Sequence, residues 1–116
     1  MACSKSNDPK PVYPKDVLVE YRITSTSNLN KVTTLSYTNA TGGTTTLSDA
    51  NIPFSLKFTR TVNIGDDLGI SVLHNNSAVG DLFNVKLDIF VDNIQVKTET
   101  FEGTDSVIGA IVHLFL

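Results

Sequence analysis

A length of 116 residues sets one domain able to hide roughly two-thirds of its unfolded surface, so a hydrophobic core needs no metal or disulfide staple. Lys and Arg number 9 against 12 Asp and Glu, and the basic residues are scattered, which excludes the clustered positive surface that nucleic acid requires. The single cysteine excludes an internal disulfide and a multi-cysteine zinc site, and no apolar run reaches the roughly 20 residues of a membrane-spanning helix.

That cysteine is Cys3, directly after Ala2. A small residue before a cysteine reads as the end of a lipobox, the cleavage point of a bacterial lipoprotein signal. Cys3 is therefore the expected lipidation residue, with a diacylglycerol on its sulfur and an acylated amine. Two chains pass the threshold for stable anchoring. Lys5, Lys10 and Lys15 are too sparse to dock on anionic lipid by charge alone. The following "SKSNDPKPVYPK" carries Pro9, Pro11 and Pro14, each of which removes a backbone donor and favours extended geometry in its predecessor. Residues 1–15 are expected to form the anchor and a semi-rigid tether, standing the domain about 30–35 Å from the bilayer. Residues 16–116 are expected to form a single domain.

From Asp16 onward the hydrophobic period is two, the mark of half-buried strands. In "VLVEYRIT" Val17, Val19, Tyr21 and Ile23 share one face. "KVTTLSYT" places Leu35 and Tyr37 together with Val32 out of phase, and "TTTLS" is a short β-branched run suited to a sheet edge. "IPFSLKFTRTVNI" sets Ile52, Phe54, Leu56, Phe58, Val62 and Ile64 on one face, interrupted only by Arg60. Arg60 predicts a strand that leaves the core there, with its guanidinium reaching solvent along the aliphatic stem. A functional reading would instead pair it with an anionic ligand at the rim. "LGISVLH" continues with Leu68, Ile70 and Val72, "FNVKLDIFV" with Phe83, Val85, Leu87, Ile89 and Val91, and "IQVKT" with Ile94 and Val96.

Between these runs stand Gly, Asn and Asp in "NATGG", "IGDDLG", "HNNSAVGD", "VDNI" and "EGTD". Asp92-Asn93 predicts a two-residue hairpin, since both residue types tolerate the positive φ of a type I′ turn. Seven or eight strands with no helical period predict an all-β fold, an immunoglobulin-like sandwich of antiparallel strands.

The last segment, "VIGAIVHLFL", is apolar on both faces: Val107, Ile111 and Phe115 on one, Ile108, Val112, Leu114 and Leu116 on the other. Either the domain covers both faces itself, or part of one face meets a partner. Ile108, Val112, Leu114 and Leu116 are thus the candidate partner-facing residues, for another envelope protein or for a homo-oligomer built through this strand.

"VEYRIT" (19–24), "TLSYTNATGGTTTLSDANIPFSLKFT" (34–59) and "IFVDNIQV" (89–96) resemble the soluble domain of the mycobacterial membrane protein small family. That family pairs a V-x-Y-x-V-T strand with a "YTNASGG"-like hairpin and an I-x-V-D-G hairpin. Phe54 stands here where the family has Trp, and Asn93 where it has Gly. The resemblance implies an envelope-anchored sandwich that assists a large lipid-exporting transporter. Cys3 would replace the family's N-terminal membrane helix, and apolar packing its paired cysteines.

No GxSxG, HExxH, phosphate loop or CxxC occurs, so the expectation is a non-catalytic protein without metal or cofactor. His74 reads as a strand-end residue and His113 as a structural residue of an apolar strand. Asp66-Asp67 and the Asn39-Ala40-Thr41 sequon read as turn chemistry. The expected role is a lipid-anchored interaction or transport-accessory module on the periplasmic face or cell surface. The alternative is a binder of small ligands or glycans through the "NATGG" and "HNNSAVGD" loops.

Overall fold

The computed structural model describes residues 12–27, 29–75 and 82–116. Cys3 and most of the tether, like residues 76–81 of the "HNNSAVGD" loop, lie outside the described residues. Eight strands account for nearly all the rest: β1 (Lys15–Thr24), β2 (Lys31–Thr38), β3 (Thr44–Asn51), β4 (Phe54–Val62), β5 (Asp67–Asn75), β6 (Leu82–Val91), β7 (Ile94–Thr104) and β8 (Ser106–Leu114). They form two antiparallel four-stranded sheets, ordered β4-β1-β6-β7 and β3-β2-β5-β8. This is the expected all-β sandwich. Its strand order puts β1 and β2 in different sheets, so the likeness to an immunoglobulin domain lies in the two-layer architecture and not in the connectivity.

Alternation builds the interior. Val17, Val19, Tyr21 and Ile23 of β1, together with Phe83, Val85, Leu87 and Ile89 of β6, face Leu35 of β2, Leu68, Ile70 and Val72 of β5, and Val107 and Ile111 of β8. Each such side chain contributes on the order of 1.5–3 kcal/mol by leaving water. The Tyr21 hydroxyl crosses the interior and donates to the Thr38 carbonyl at 2.7 Å, tying one sheet to the other. Val32 is buried as well as Leu35, so the facing phase of β2 changes between them, opposite Asp49 with its φ of 54°.

The turns behave as their chemistry requires. Asp92 and Asn93 have φ of 52° and 67°, the type I′ signature, between paired Val91 and Ile94. Asn39 Oδ1 accepts from the Thr41 and Gly43 amides and from the Thr41 hydroxyl, closing the β2–β3 hairpin. At the β7–β8 corner the chain changes sheets through Asp105 alone, whose φ is 67°. Gly103 allows this, because a Cβ there would collide with the Ser106 carbonyl.

Three side chains depart from the expected phase. Ile64 is exposed because β4 ends at Val62 and the chain turns, with the Asn63 amide donating to Asp66 Oδ2 at 2.8 Å. Ile94 is exposed where β7 leaves its hairpin along the sheet edge. Arg60 does not run to solvent: it is 8% exposed, its Nη1 donates to the Asp67 carbonyl at 2.8 Å, and Nη2 lies 3.6 Å from Asp66 Oδ2. It spans from β4 to the start of β5 in the other sheet, where backbone and carboxylate oxygens replace apolar neighbours. At this same end of the sandwich the Tyr13 hydroxyl donates to the Leu116 carbonyl at 3.2 Å, and Lys15 lies over the Tyr13 and Phe115 rings.

Candidate functional site

The outer faces of the two sheets differ in chemistry. Across β4-β1-β6, Lys57 is level with Glu20 and Phe90, and Ser55 with Arg22 and Asp88. Arg22 stacks on Phe90 at 4.3 Å and its Nε donates to Glu20 Oε2 at 2.7 Å. Under this cover Glu20 and Asp88 are buried, and Asp88 Oδ1 has no hydrogen-bond partner among the described residues. This face is charged and largely paired within itself.

The other outer face is uncharged along three successive rows. Register places Ser48, Thr34, Leu73 and Ile108 in one row, and Thr46, Ser36, Ser71 and Ala110 in the next. Thr44, Thr38, Gly69 and Val112 follow, with the Gly69 amide donating to the Thr38 hydroxyl at 3.0 Å. Hydroxyls on β3 and β2 thus give way to Leu73, Ser71 and Gly69 on β5 and to aliphatic residues on β8. The small residues Ser36, Gly69, Ser71 and Ala110 leave a shallow depression of about 220 Å³ in the middle of this face.

β8 supplies the apolar border. Val107, Ile111 and Phe115 point inward and are 1%, 4% and 4% exposed, whereas Ile108, Val112, Leu114 and Leu116 are 70%, 51%, 48% and 77% exposed. Of the two ways to treat a two-sided apolar strand, the domain covers one face and leaves the other open to solvent. Three of them lie along β8 and Leu116 lies just beyond its end, so together they form one exposed apolar row. The residues singled out from sequence therefore lie together, on an edge strand that pairs with β5 alone among the described residues.

The histidines sit elsewhere. His74 meets Phe83 edge-on at 5.2 Å and His113 meets Phe115 edge-on at 4.9 Å. Burial lowers the pKa of both, aided at His113 by Lys97 and Lys15. His74 Nδ1 has no hydrogen-bond partner among the described residues, and no three His, Cys, Asp or Glu side chains converge there as a metal site. Among the described residues no helix is long and apolar enough to cross a membrane.

The uncharged rows on β2 and β3 escaped the sequence reading. Their signal was present in the Thr and Ser that alternate through "TTLSYT" and "TTTLS", whose even-numbered hydroxyls fall on one face. The chain matches no protein-family profile and no curated protein.

Proposed function

We propose that this chain is a non-catalytic, lipid-anchored module of the bacterial envelope that engages a protein partner through β8. The observation that carries the reading is the open aliphatic row of Ile108, Val112 and Leu114 on an edge strand, continued by Leu116 just past its end. Solvent exposure of such a row costs free energy that a partner recovers by covering it. The anchor belongs to Cys3, and the tether joins the domain at Val12 and Tyr13, at the sandwich end where Leu116 also lies. The resemblance of residues 19–24, 34–59 and 89–96 to the mycobacterial family supports the sandwich fold and an accessory role in the envelope. Against the glycan reading, every aromatic side chain is buried or half-buried, so the flat platforms that sugars stack on are missing from the surface.

The test is lipid incorporation. Expressed in a bacterial host from its native gene, upstream codons included, the protein will take up radiolabelled palmitate. Cys3→Ala will lose the label and leave the membrane fraction. An unlabelled wild-type protein overturns the anchor and the envelope assignment with it.

A further inference from the structure

We infer that the partner of β8 is β8 of a second copy of this chain, added antiparallel so that two four-stranded sheets become one of eight. The inference rests on the interaction reading above and names its partner.

Backbone geometry shows what the strand offers. The Phe115 amide donates to the Asp66 carbonyl at 2.8 Å, and its carbonyl accepts from Gly65 at 2.7 Å, so residue 115 turns both groups toward the β5 side. The β5 partners of the even-numbered residues turn the other way: Gly69, opposite Val112, donates to Thr38, and Asn75, opposite Ser106, donates to Thr33 at 3.0 Å. Along an antiparallel ladder these directions alternate residue by residue. Ile108, Ala110, Val112 and Leu114 therefore direct their own amides and carbonyls to the unpaired edge. The same four residues point their side chains outward.

Such an edge invites strand addition unless it is blunted by charge, proline or a bulge. The other three edges carry charge: Asp49 on β3, Lys57 and Arg60 on β4, and Lys97, Glu99 and Glu102 on β7. β8 has no Asp, Glu, Lys, Arg or Pro in nine residues. A bilayer could accept its aliphatic side chains but not satisfy its backbone donors, whereas another strand does both.

The sequence is also complementary to itself. With the two-fold axis at Ile111, Ala110 lies beside Val112 of the second copy and Ile108 beside Leu114 of the second copy. All four outward positions then meet aliphatic neighbours, and about eight inter-chain hydrogen bonds form along a seam of about 30 Å. The axis runs normal to the sheet, so both uncharged outer faces look the same way.

Sedimentation equilibrium on the full chain carrying Cys3→Ser, which removes any disulfide dimer, tests this. At about 100 µM the expected mass is twice 12.6 kDa. Val112→Lys will weaken association at least about ten-fold, and so will Ala110→Pro, which removes a donor the β5 ladder does not use. Ile94→Lys, on the β7 edge, will leave it unchanged. Hydrogen exchange of the wild-type Ala110 and Val112 amides, which needs no variant to fold, will slow as concentration rises. A single-chain mass with concentration-independent exchange overturns the inference. So does a monomer that floats with phosphatidylglycerol vesicles and loses them on Val112→Lys, which gives the face to lipid. The palmitate experiment reads Cys3 alone, so either claim can fail without the other.

Discussion

Tyr21 is the largest side chain with no exposed surface, and its hydroxyl is the polar atom that the core must satisfy. The bond to the Thr38 carbonyl does so, while burial pushes the phenol pKa well above its ordinary range. Tyr21→Phe leaves that carbonyl without the hydroxyl and should cost about 1 kcal/mol, read from the urea midpoint at unchanged slope. The histidines make a second residue-scale prediction. Burial holds both imidazoles below their ordinary 6.5, so the unfolded chain takes up protons that the folded chain refuses. Stability from these groups is whole above the unfolded value, falls as pH drops through it, and levels off below the lower folded value. Denaturation measured from about pH 7 to about pH 5 should show that decline, and the pair His74→Phe and His113→Phe should flatten it.

Among the elements, β8 is fixed in place by what it lacks. Gly109 faces inward, and a Cβ there would run into the Phe101 ring of β7, so the ring fills the space that a side chain would claim. Gly109→Ala should therefore cost about 1–3 kcal/mol, and clearly less when Phe101 is already Ala, a coupling that a double-mutant cycle measures. Nothing in "VIGAIVHLFL" signalled this contact, because Phe101 reaches Gly109 from the opposite sheet around the Asp105 corner. The strands themselves were legible wherever one face was buried: β1, β5 and β6 bury the apolar residues of their alternation, with Glu20 and Asp88 the outward residues that are buried as well. Legibility ended where the cause was tertiary. Arg60 read as a side chain bound for water because its oxygen partners, on Asp66 and Asp67, reach it only through a turn between sheets. The apolar row of β8 was visible as a pattern, but whether it was covered depended on β8 taking an edge, which periodicity does not encode.

The molecule as a whole is a sandwich with unlike outer surfaces, one bearing Glu20, Arg22, Lys57 and Asp88, the other neutral from Thr44 to Ile108. That asymmetry gives the domain an orientation that its rather symmetric pair of sheets would not. It also means that surface charge is sparser on the second side, where Asp67 opposite Leu114 borders the neutral rows, and this favours association there over the first side.

The Tyr13–Leu116 contact has a topological consequence. Residues 13 and 116 are within a side chain's reach of each other, so a short Gly-Ser bridge can join them without disturbing either sheet. A circular permutant closed there and reopened at the exposed Thr41-Gly42 turn should fold to the same strands, with an unchanged far-ultraviolet spectrum and a modestly lower melting temperature. Its new ends would leave from the β2–β3 hairpin.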